Sequence, residues 1–155
     1  MWQGVVESLH TVAAKSEPLA TLSEVTAVAG KGLEGDRYLL GVGTYSKKPG
    51  PDRQITLFET EVLTALRREY DIRIAPDQTR RNVITRGVPL SHLVGTEFTV
   101  GAVRLRGVRP CDPCPYLAKL LDEKRLYEAL LHRGGLRCEI LTSGVIRVGD
   151  LVRPA

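Results

Sequence analysis

The chain has 155 residues, 43% of them hydrophobic and 26% charged, so we expect one globular domain over residues 1–155. It has no run of about 20 apolar residues, no secretory-signal pattern and only three cysteines, so we expect a cytoplasmic protein that has no membrane partner and no disulfide scaffold. The net charge of +4 is spread along the chain and aromatic residues make up 5%, so we expect no nucleic-acid partner, and a small anionic ligand accounts for the charge equally well.

The first half of the chain reads mainly as strands. Residues 4–12 and 23–28 are short segments with β-branched residues, and residues 54–58 alternate as a half-buried strand does. Residues 59–70 have apolar side chains at helical spacing. The intervening residues 31–53 are rich in Gly, Pro and Lys, which predicts a long functional loop.

The next segment predicts a hairpin. Residues 97–100 and 102–108 are strand-like and are separated by Gly101. Because side chains alternate along a strand, Arg104 and Arg106 are expected on one face and the apolar residues on the other.

The last third predicts a helix and a closing pair of strands. Residues 117–132 have leucines at helical spacing, and Gly134 and Gly135 are suited to end that helix. Residues 137–141 and 144–150 are expected to pair through a tight turn. Many short strands with two helices between them favour a mainly-β barrel with packed helices.

A short cysteine segment is the most informative motif. Cys111 and Cys114 lie three residues apart between prolines, which fix the backbone and hold each thiol in one direction. A structural zinc site needs four ligands, and the remaining candidates are scattered. A thioredoxin-type dithiol needs a βαβ setting that the pattern lacks. The candidates left over for zinc are Cys138, His10, His92 and His132.

Two interpretations of the cysteine pair then stay open. In the first, the thiols simply pack beneath a helix start, since free cysteines are commonly buried. The favoured alternative is a single soft ligand or nucleophile. Pro115 suits the first position of a helix, which would place the Cys114 sulfur at a helix N-terminus and lower its pKa.

Residues 80–87 contain three arginines beside a strand-like segment. Guanidinium groups match phosphate oxygens, and the Asn82 amide offers both a donor and an acceptor to the edge of a heterocycle. A solvated basic strand edge explains the pattern equally well.

Two glycine-containing segments are also candidates. Residues 32–38 form a loop in which glycine permits a close approach to a ligand, although a plain turn is sufficient. His132 precedes the glycine pair, where it is suited either to a helix C-terminus or to acid–base chemistry.

Taken in order, these motifs resemble the MOSC family, the domain found at the C-terminus of molybdenum cofactor sulfurases. The resemblance implies a β-barrel and a molybdopterin-type cofactor whose metal is bound by one catalytic cysteine thiolate, which falls on Cys114. Cys111 is implied to be its neighbour, and pyridoxal phosphate binding is implied at family level. The motifs are residues 13–18, 32–38, 53–57, 80–87, 93–95, 109–114 and 144–150.

The resemblance also implies which side chains contact the cofactor. They are Lys15, Arg37, Arg80, Arg81 and Asn82. The phosphate tail would take the arginines, and the pterin edge would take the Asn82 amide.

Two functions follow as expectations. In the first, the chain is part of a molybdenum-dependent oxidoreductase that reduces N-oxygenated small molecules, with a partner protein as electron donor. Relatives with this activity usually carry an additional region, which is why a partner is expected. In the second, the chain is a module that carries the cofactor, or a persulfide on Cys114, to another protein without turnover of its own.

Overall fold

The computed structural model describes residues 1–14, 17–40, 50–112 and 115–155. The strands in these ranges are β1 (Gly4–Thr11), β2 (Ala20–Leu22), β3 (Glu24–Val28), β4 (Gly32–Leu33), β5 (Ile55–Glu59), β6 (Val83–Arg86), β7 (Glu97–Val100), β8 (Val103–Pro110), β9 (Leu136–Ile140), β10 (Gly144–Arg147) and β11 (Leu151–Pro154). The helices in these ranges are α1 (Arg37–Leu40), α2 (Thr60–Tyr70), α3 (Pro115–Leu120) and α4 (Leu126–Ala129), with 3-10 turns at Pro76–Thr79 and Leu90–His92. None of the described helices has the length and apolar character that a membrane span requires.

Seven of these strands close into a barrel. Their order is β11-β7-β8-β9-β5-β6-β1, and β1 pairs back to β11 through Gly4 and Val152. Strand β2 extends the sheet beside β1, and β10, β3 and β4 form a separate three-stranded sheet. The mainly-β barrel predicted from the sequence is therefore confirmed.

Several local predictions are confirmed as well. Strands β1 and β3 and helix α2 lie where the patterns place them, and β7 and β8 form the expected antiparallel hairpin. Arg104 and Arg106 are both exposed, while Val103 and Leu105 are buried.

The strand predicted over residues 54–58 forms as β5, but the prediction that it is half-buried is wrong. Strand β5 is buried on both faces at its first four residues. It pairs in parallel with β6, and α2 lies in the connection between them. A parallel pair needs such a crossover, and the crossover covers the outer face of the sheet.

The predicted closing hairpin does not form. Strand β9 pairs with β8 and β5 inside the barrel, whereas β10 pairs with β3 in the other sheet. The chain leaves the barrel after Leu141, whose N–H donates to the Arg104 carbonyl, and Ser143 Oγ accepts from the Ala29 N–H at 2.8 Å. Local turn chemistry predicted a hairpin, but tertiary pairing separates the two strands.

The single helix predicted over residues 117–132 is also wrong. Two short helices, α3 and α4, take its place, and Asp122 between them has a left-handed backbone with φ of +51°. A residue in that conformation ends a right-handed helix. Because α4 already ends at Ala129, the pair Gly134 and Gly135 does not terminate it.

Two apolar layers result from this arrangement. The barrel interior contains Ile55 and Leu57 of β5, while Phe58 of the same strand faces outward. Phe58 packs with Ile84 of β6 and with apolar residues of α2, α3 and α4, among them Leu117. The outer face of β5 and β6 is therefore covered at one end, and the polar residues described next lie further along the same strands.

Candidate functional site

A row of polar residues crosses the outer face of the barrel. Arg109 of β8 is the cross-strand partner of Arg137 of β9, and Arg137 is the partner of Thr56 of β5. Thr56 hydrogen-bonds to Asn82, whose carbonyl accepts from the His10 N–H at 2.8 Å. We call these five residues the transverse polar row.

The Asn82 side chain lies at the centre of this row and is fully buried. Its Oδ1 accepts from the N–H and the hydroxyl of Thr56 at 3.0 and 3.1 Å. Its Nδ2 donates to the His10 carbonyl at 3.1 Å and to Asp36 Oδ1 at 3.2 Å. Two acceptor and two donor contacts occupy the amide's whole hydrogen-bonding capacity.

Asp36 connects the row to two of the predicted site residues. Its Oδ1 accepts from the Val12 N–H at 3.1 Å and from Arg37 Nη1 at 3.4 Å. Arg37 Nη2 donates to the Arg80 carbonyl at 3.0 Å, and Arg80 Nη1 donates to the Glu17 carbonyl. The structure therefore brings Arg37, Arg80 and Asn82 together.

The backbone of Arg80 contributes to this geometry. Its φ is +63°, in the left-handed region that non-glycine residues seldom occupy. The residue closes the 3-10 turn Pro76–Thr79, and its N–H donates to the Asp77 carbonyl. This turn directs the Arg80 carbonyl to Arg37 and leads the chain into β6.

Buried positive charge exceeds buried negative charge in this region. Among the described residues, the buried ionised side chains are those of Asp36, Arg37, Arg80 and Arg137. Buried charge is costly unless it is paired, and Arg37 is paired here with Asp36.

Arg81 and Cys111 are held by one glycine turn. Arg81 Nε donates to the Gly134 carbonyl at 3.0 Å, and the Cys111 N–H donates to the Gly135 carbonyl at 2.8 Å. Gly135 has φ of +107°, which favours glycine, and a Cβ atom there would lie 2.3 Å from the Leu57 carbonyl oxygen. The turn thus joins the arginine segment to the cysteine segment.

Two predicted site residues, Lys15 and Cys114, lie outside the described residues. On one side of the cysteine, Cys111 is almost completely buried. On the other side, α3 begins at Pro115, as the sequence predicts, and Leu117 packs in the outer apolar layer. Both flanks of the predicted metal ligand are therefore anchored to the barrel.

Cys111 lines a cavity of about 160 Å³. The polar groups around it include Ser91, Asp112, His132 and Arg133. His132 has a left-handed backbone with φ of +65° and lies after the end of α4. The structure thus places His132 beside the cysteine segment, and its acid–base role stays a prediction.

Cys138 has a different environment. It is fully buried in the barrel interior, where burial and the nearby Cys111 raise the pKa of its thiol well above the usual value. A thiol held neutral in this way fills the core. Among the described residues there is no group of three or more His, Cys, Asp or Glu side chains that could hold a metal ion.

Sequence reasoning missed several members of this site. Asp36 lies in a loop that the sequence singles out for its glycines, and nothing in that pattern points to the carboxylate. Thr56 and Arg137 read as ordinary strand residues. Only the tertiary register places Thr56 beside Asn82 and Arg137 beside Thr56.

Residues 44–153 match the family model of the MOSC domain. The chain belongs to the MOSC domain family. This family is related to molybdenum cofactor sulfurases, which is consistent with an association with the molybdenum cofactor. A comparison with curated protein sequences gives no match.

Solved structures share the fold of this MOSC domain at low sequence identity. The YuaD protein from Bacillus subtilis has a TM-score of 0.82 at 20% identity, over 98% of this chain and 97% of YuaD. YiiM from Geobacillus stearothermophilus has a TM-score of 0.72 at 17% identity, over 98% of this chain and 75% of that one. YiiM from Escherichia coli has a TM-score of 0.71 at 20% identity, over 100% of this chain and 70% of that one.

Proposed function

We propose that this MOSC domain binds a molybdopterin-type molybdenum cofactor, with its phosphate on Arg37 and Arg80 and its metal on Cys114. The observation that carries this proposal is that the buried side chains of Arg37 and Arg80 meet in one hydrogen-bonded network with Asp36 and Asn82. Arg37 and Arg80 are 5% and 7% exposed, and each is fixed to a backbone carbonyl. Such preorganised guanidinium groups suit a doubly charged phosphate.

The donor set also fits the metal that the family relation suggests. Molybdenum accepts soft thiolate ligands, and a pterin dithiolene supplies the sulfurs that the protein does not. Cys114 would supply the protein thiolate, and Lys15 and Arg81 would add positive charge. The predicted pyridoxal phosphate binding stays a prediction.

The contacts of Asn82 support a positioning role in place of the direct pterin contact predicted from the sequence. All four of its hydrogen-bonding sites are used by Thr56, His10 and Asp36. By holding Asp36, Asn82 orients Arg37, which in turn contacts the Arg80 carbonyl. A direct contact would require one of these buried bonds to break.

In the catalytic form of this proposal, the substrate is an N-oxygenated small molecule. Bound at this site, the cofactor would supply oxygen-atom transfer. Reducing an N–OH group to N–H consumes two electrons and two protons and releases the oxygen as water. The electrons would come from an electron-transfer protein, and His132 beside the Cys111 cavity is the candidate proton donor.

The phosphate assignment is tested by expressing the full chain in a host that makes molybdopterin and measuring molybdenum and pterin per chain. Arg80→Gln should weaken cofactor retention roughly ten- to hundredfold, because it removes a charged hydrogen bond. Arg80→Lys keeps the charge but lacks the planar guanidinium group, so its cofactor retention should lie between those of wild type and Arg80→Gln. Arg73→Gln, at an exposed arginine, is the matched control.

Each variant is checked for folding by its thermal unfolding transition. Wild-type molybdenum in a folded Arg80→Gln protein would refute the assignment.

Two measurements distinguish the carrier function predicted from the sequence from an enzymatic function. Turnover of an N-hydroxylated compound with an artificial electron donor indicates the enzyme. A mass increase of one sulfur atom on the Cys114 peptide, without turnover, indicates a persulfide carrier instead.

A further inference from the structure

The Asn82 amide has all its hydrogen-bonding sites occupied, so the polar edge of a bound pterin needs a different partner. A second cavity, of about 240 Å³, lies beside Arg80 and has no ligand in the proposed function. The residues that line it include Pro18, Leu19, Asp77, Arg80, Leu120 and Leu121.

One short turn carries both charged residues of this cavity. Asp77 lies in the 3-10 turn Pro76–Thr79, and Arg80 closes that turn with a left-handed backbone. Gln78 Oε1 accepts from the Ala75 N–H at 2.8 Å and fixes the start of the turn. The backbone therefore holds an acceptor and a cation in a set relation before a ligand binds, which lowers the cost of binding.

The Asp77 carboxylate has unused acceptor capacity. The residue is half-buried, and within the described ranges no group donates a hydrogen bond to its carboxylate or forms an ion pair with it. Burial keeps the pKa of the His10 imidazole below its ordinary value although the charge of Asp77 acts against this, so His10 is no counter-ion at neutral pH. A carboxylate in this setting favours a ligand that donates hydrogen bonds.

Apolar side chains form most of the remaining lining. Leu19 is buried, whereas Leu120 at the end of α3 is 39% exposed. A ring in the cavity would cover Leu120 and remove its apolar surface from water. Pockets for whole drug-sized ligands have about 300–1,000 Å³, so this smaller cavity suits one bicyclic ring.

We propose that this cavity binds the bicyclic ring of the cofactor's pterin, with the Asp77 carboxylate accepting from its 2-amino-4-oxo-pyrimidine edge. That edge presents two adjacent N–H donors, which match the two oxygens of a carboxylate. Asp77 repels a phosphate and Arg80 attracts one, so the two charges select one orientation of the ligand. This inference rests on the proposed function, because it concerns the ring of the same cofactor.

A short helix connects the cavity to the predicted metal ligand. Helix α3 begins at Pro115, the residue after Cys114, and ends at Leu120. Its six residues span about 9 Å. The cysteine segment and the cavity therefore belong to the two ends of one element.

The test is a titration of the purified, cofactor-free full chain, labelled with ¹⁵N, with free pterin and with lumazine. Lumazine has the same bicyclic ring but a carbonyl oxygen in place of the 2-amino group. Pterin should give saturable shifts of the backbone N–H signals of Asp77, Leu120 and Leu121. It should bind about tenfold more tightly than lumazine, which corresponds to about 1.4 kcal/mol.

Asp77→Asn should remove this preference for pterin. The new amide turns an NH₂ group toward the 2-amino group, so pterin should bind about tenfold more weakly while lumazine binding changes by less than about twofold. A general loss of stability would weaken both ligands together and leave their ratio unchanged. Asp77→Ser, which also lacks the carboxylate, is the second variant and should lose the same preference.

Three further variants serve as comparisons. Asp112→Asn changes a carboxylate that lines the cavity beside Cys111, and it should leave both affinities unchanged. Leu120→Ala should weaken pterin and lumazine together by roughly threefold, because both rings lose the same apolar contact. Leu131→Ala, at a leucine with a similar exposure of 42%, should weaken neither.

Four results would overturn the proposal. The first is an absence of saturable shifts with wild type, and the second is an undiminished preference for pterin in both Asp77 variants. An equal loss in Asp112→Asn would assign the ring to the cavity beside Cys111. Guanosine has the same pyrimidine edge, so tighter binding of guanosine than of pterin at these signals would show a nucleoside site.

This titration is separate from cofactor loading. Molybdenum in the loaded wild-type chain, without an Asp77-dependent preference for free pterin, would refute the cavity assignment and leave the proposed function intact. An Asp77-dependent preference in a chain that never acquires molybdenum would refute the proposed function and keep the cavity as a site for this ring.

Discussion

At the scale of single residues, one buried amide organises the candidate site. Asn82 joins β5, β1 and the loop that carries Asp36, and none of its partners is close in the sequence. The sequence singled out Asn82 because its amide offers a donor and an acceptor beside an arginine-rich segment. It did not reveal that the amide faces inward, because the register that brings Thr56 beside it is a tertiary property.

The substitution Asn82→Asp tests this role with almost no change of shape. The new carboxylate would face Asp36 and the His10 carbonyl in place of donated hydrogen bonds, so we expect a loss of about 2–4 kcal/mol of unfolding free energy at pH 7. Urea unfolding of wild type and Asn82→Asp measures this difference in unfolding free energy.

The pH dependence of the same variant provides the control. The paired carboxylates would have folded-state pKa values above their unfolded ones, so the destabilisation should be absent below the unfolded pKa and should grow as pH rises through the folded one. A pH-independent loss would contradict the carboxylate pairing.

His10 gives a prediction of opposite sign. Burial lowers the pKa of its imidazole, although the charge of Asp77 acts in the other direction. The ring nitrogens are hydrogen-bonded to Ser8 Oγ at 2.8 Å and Thr21 Oγ1 at 3.2 Å. The unfolded chain therefore binds a proton more readily, and stability should fall as pH drops below the ordinary histidine value of 6.5.

Replacing His10 with Gln should remove that part of the slope. Comparing the urea midpoints of wild type and His10→Gln between about pH 7.5 and pH 5 measures this, and identical slopes would show that His10 does not titrate as described.

At the scale of elements, the positions of the strands were predicted better than the way the strands pair. The β-branched residues of β1 and the alternation of β8 are local features and are sufficient to identify these strands. By contrast, β9 and β10 are adjacent in sequence but belong to different sheets, which only the complete barrel determines. Of the leucines in the pattern over residues 117–132, Leu117, Leu126 and Leu130 are buried but Leu120 is exposed. A left-handed Asp122 divides the predicted helix.

Gly135 is the element boundary on which the cysteine segment depends. Gly135→Ala should cost about 3 kcal/mol, because it combines a left-handed backbone with a clash against the Leu57 carbonyl. It should also reduce molybdenum content, since the Gly135 carbonyl holds the Cys111 N–H.

Gly149→Ala is the matched control for this change. Gly149 also has a positive φ, +92°, but nothing lies within 4 Å of the added Cβ, so we expect a cost of about 1 kcal/mol. Equal losses in the two variants would show that the clash at Leu57 has no effect.

At the scale of the whole molecule, the two faces of the barrel sheet have different roles. The inner face is an apolar core, and the outer face carries an apolar layer at one end and the transverse polar row at the other. The order of motifs along the chain was enough to predict the family and the barrel. The internal balance of buried charge was not predictable, because it depends on which arginines the fold buries.

The cofactor should also stabilise the whole chain. A ligand that binds only the folded state raises stability with its concentration and affinity. Cofactor-loaded wild type should therefore unfold at a higher temperature than the cofactor-free protein, and this increase should largely disappear in Arg80→Gln. A wild-type increase in that variant would contradict the role of Arg80.

The most direct test of the central claim is the molybdenum content per chain of wild type, Cys114→Ala and Cys111→Ala from a molybdopterin-competent host. We predict that wild type and Cys111→Ala contain molybdenum and that Cys114→Ala contains none. Full molybdenum in Cys114→Ala, or its loss in Cys111→Ala alone, would contradict the assignment of the metal ligand.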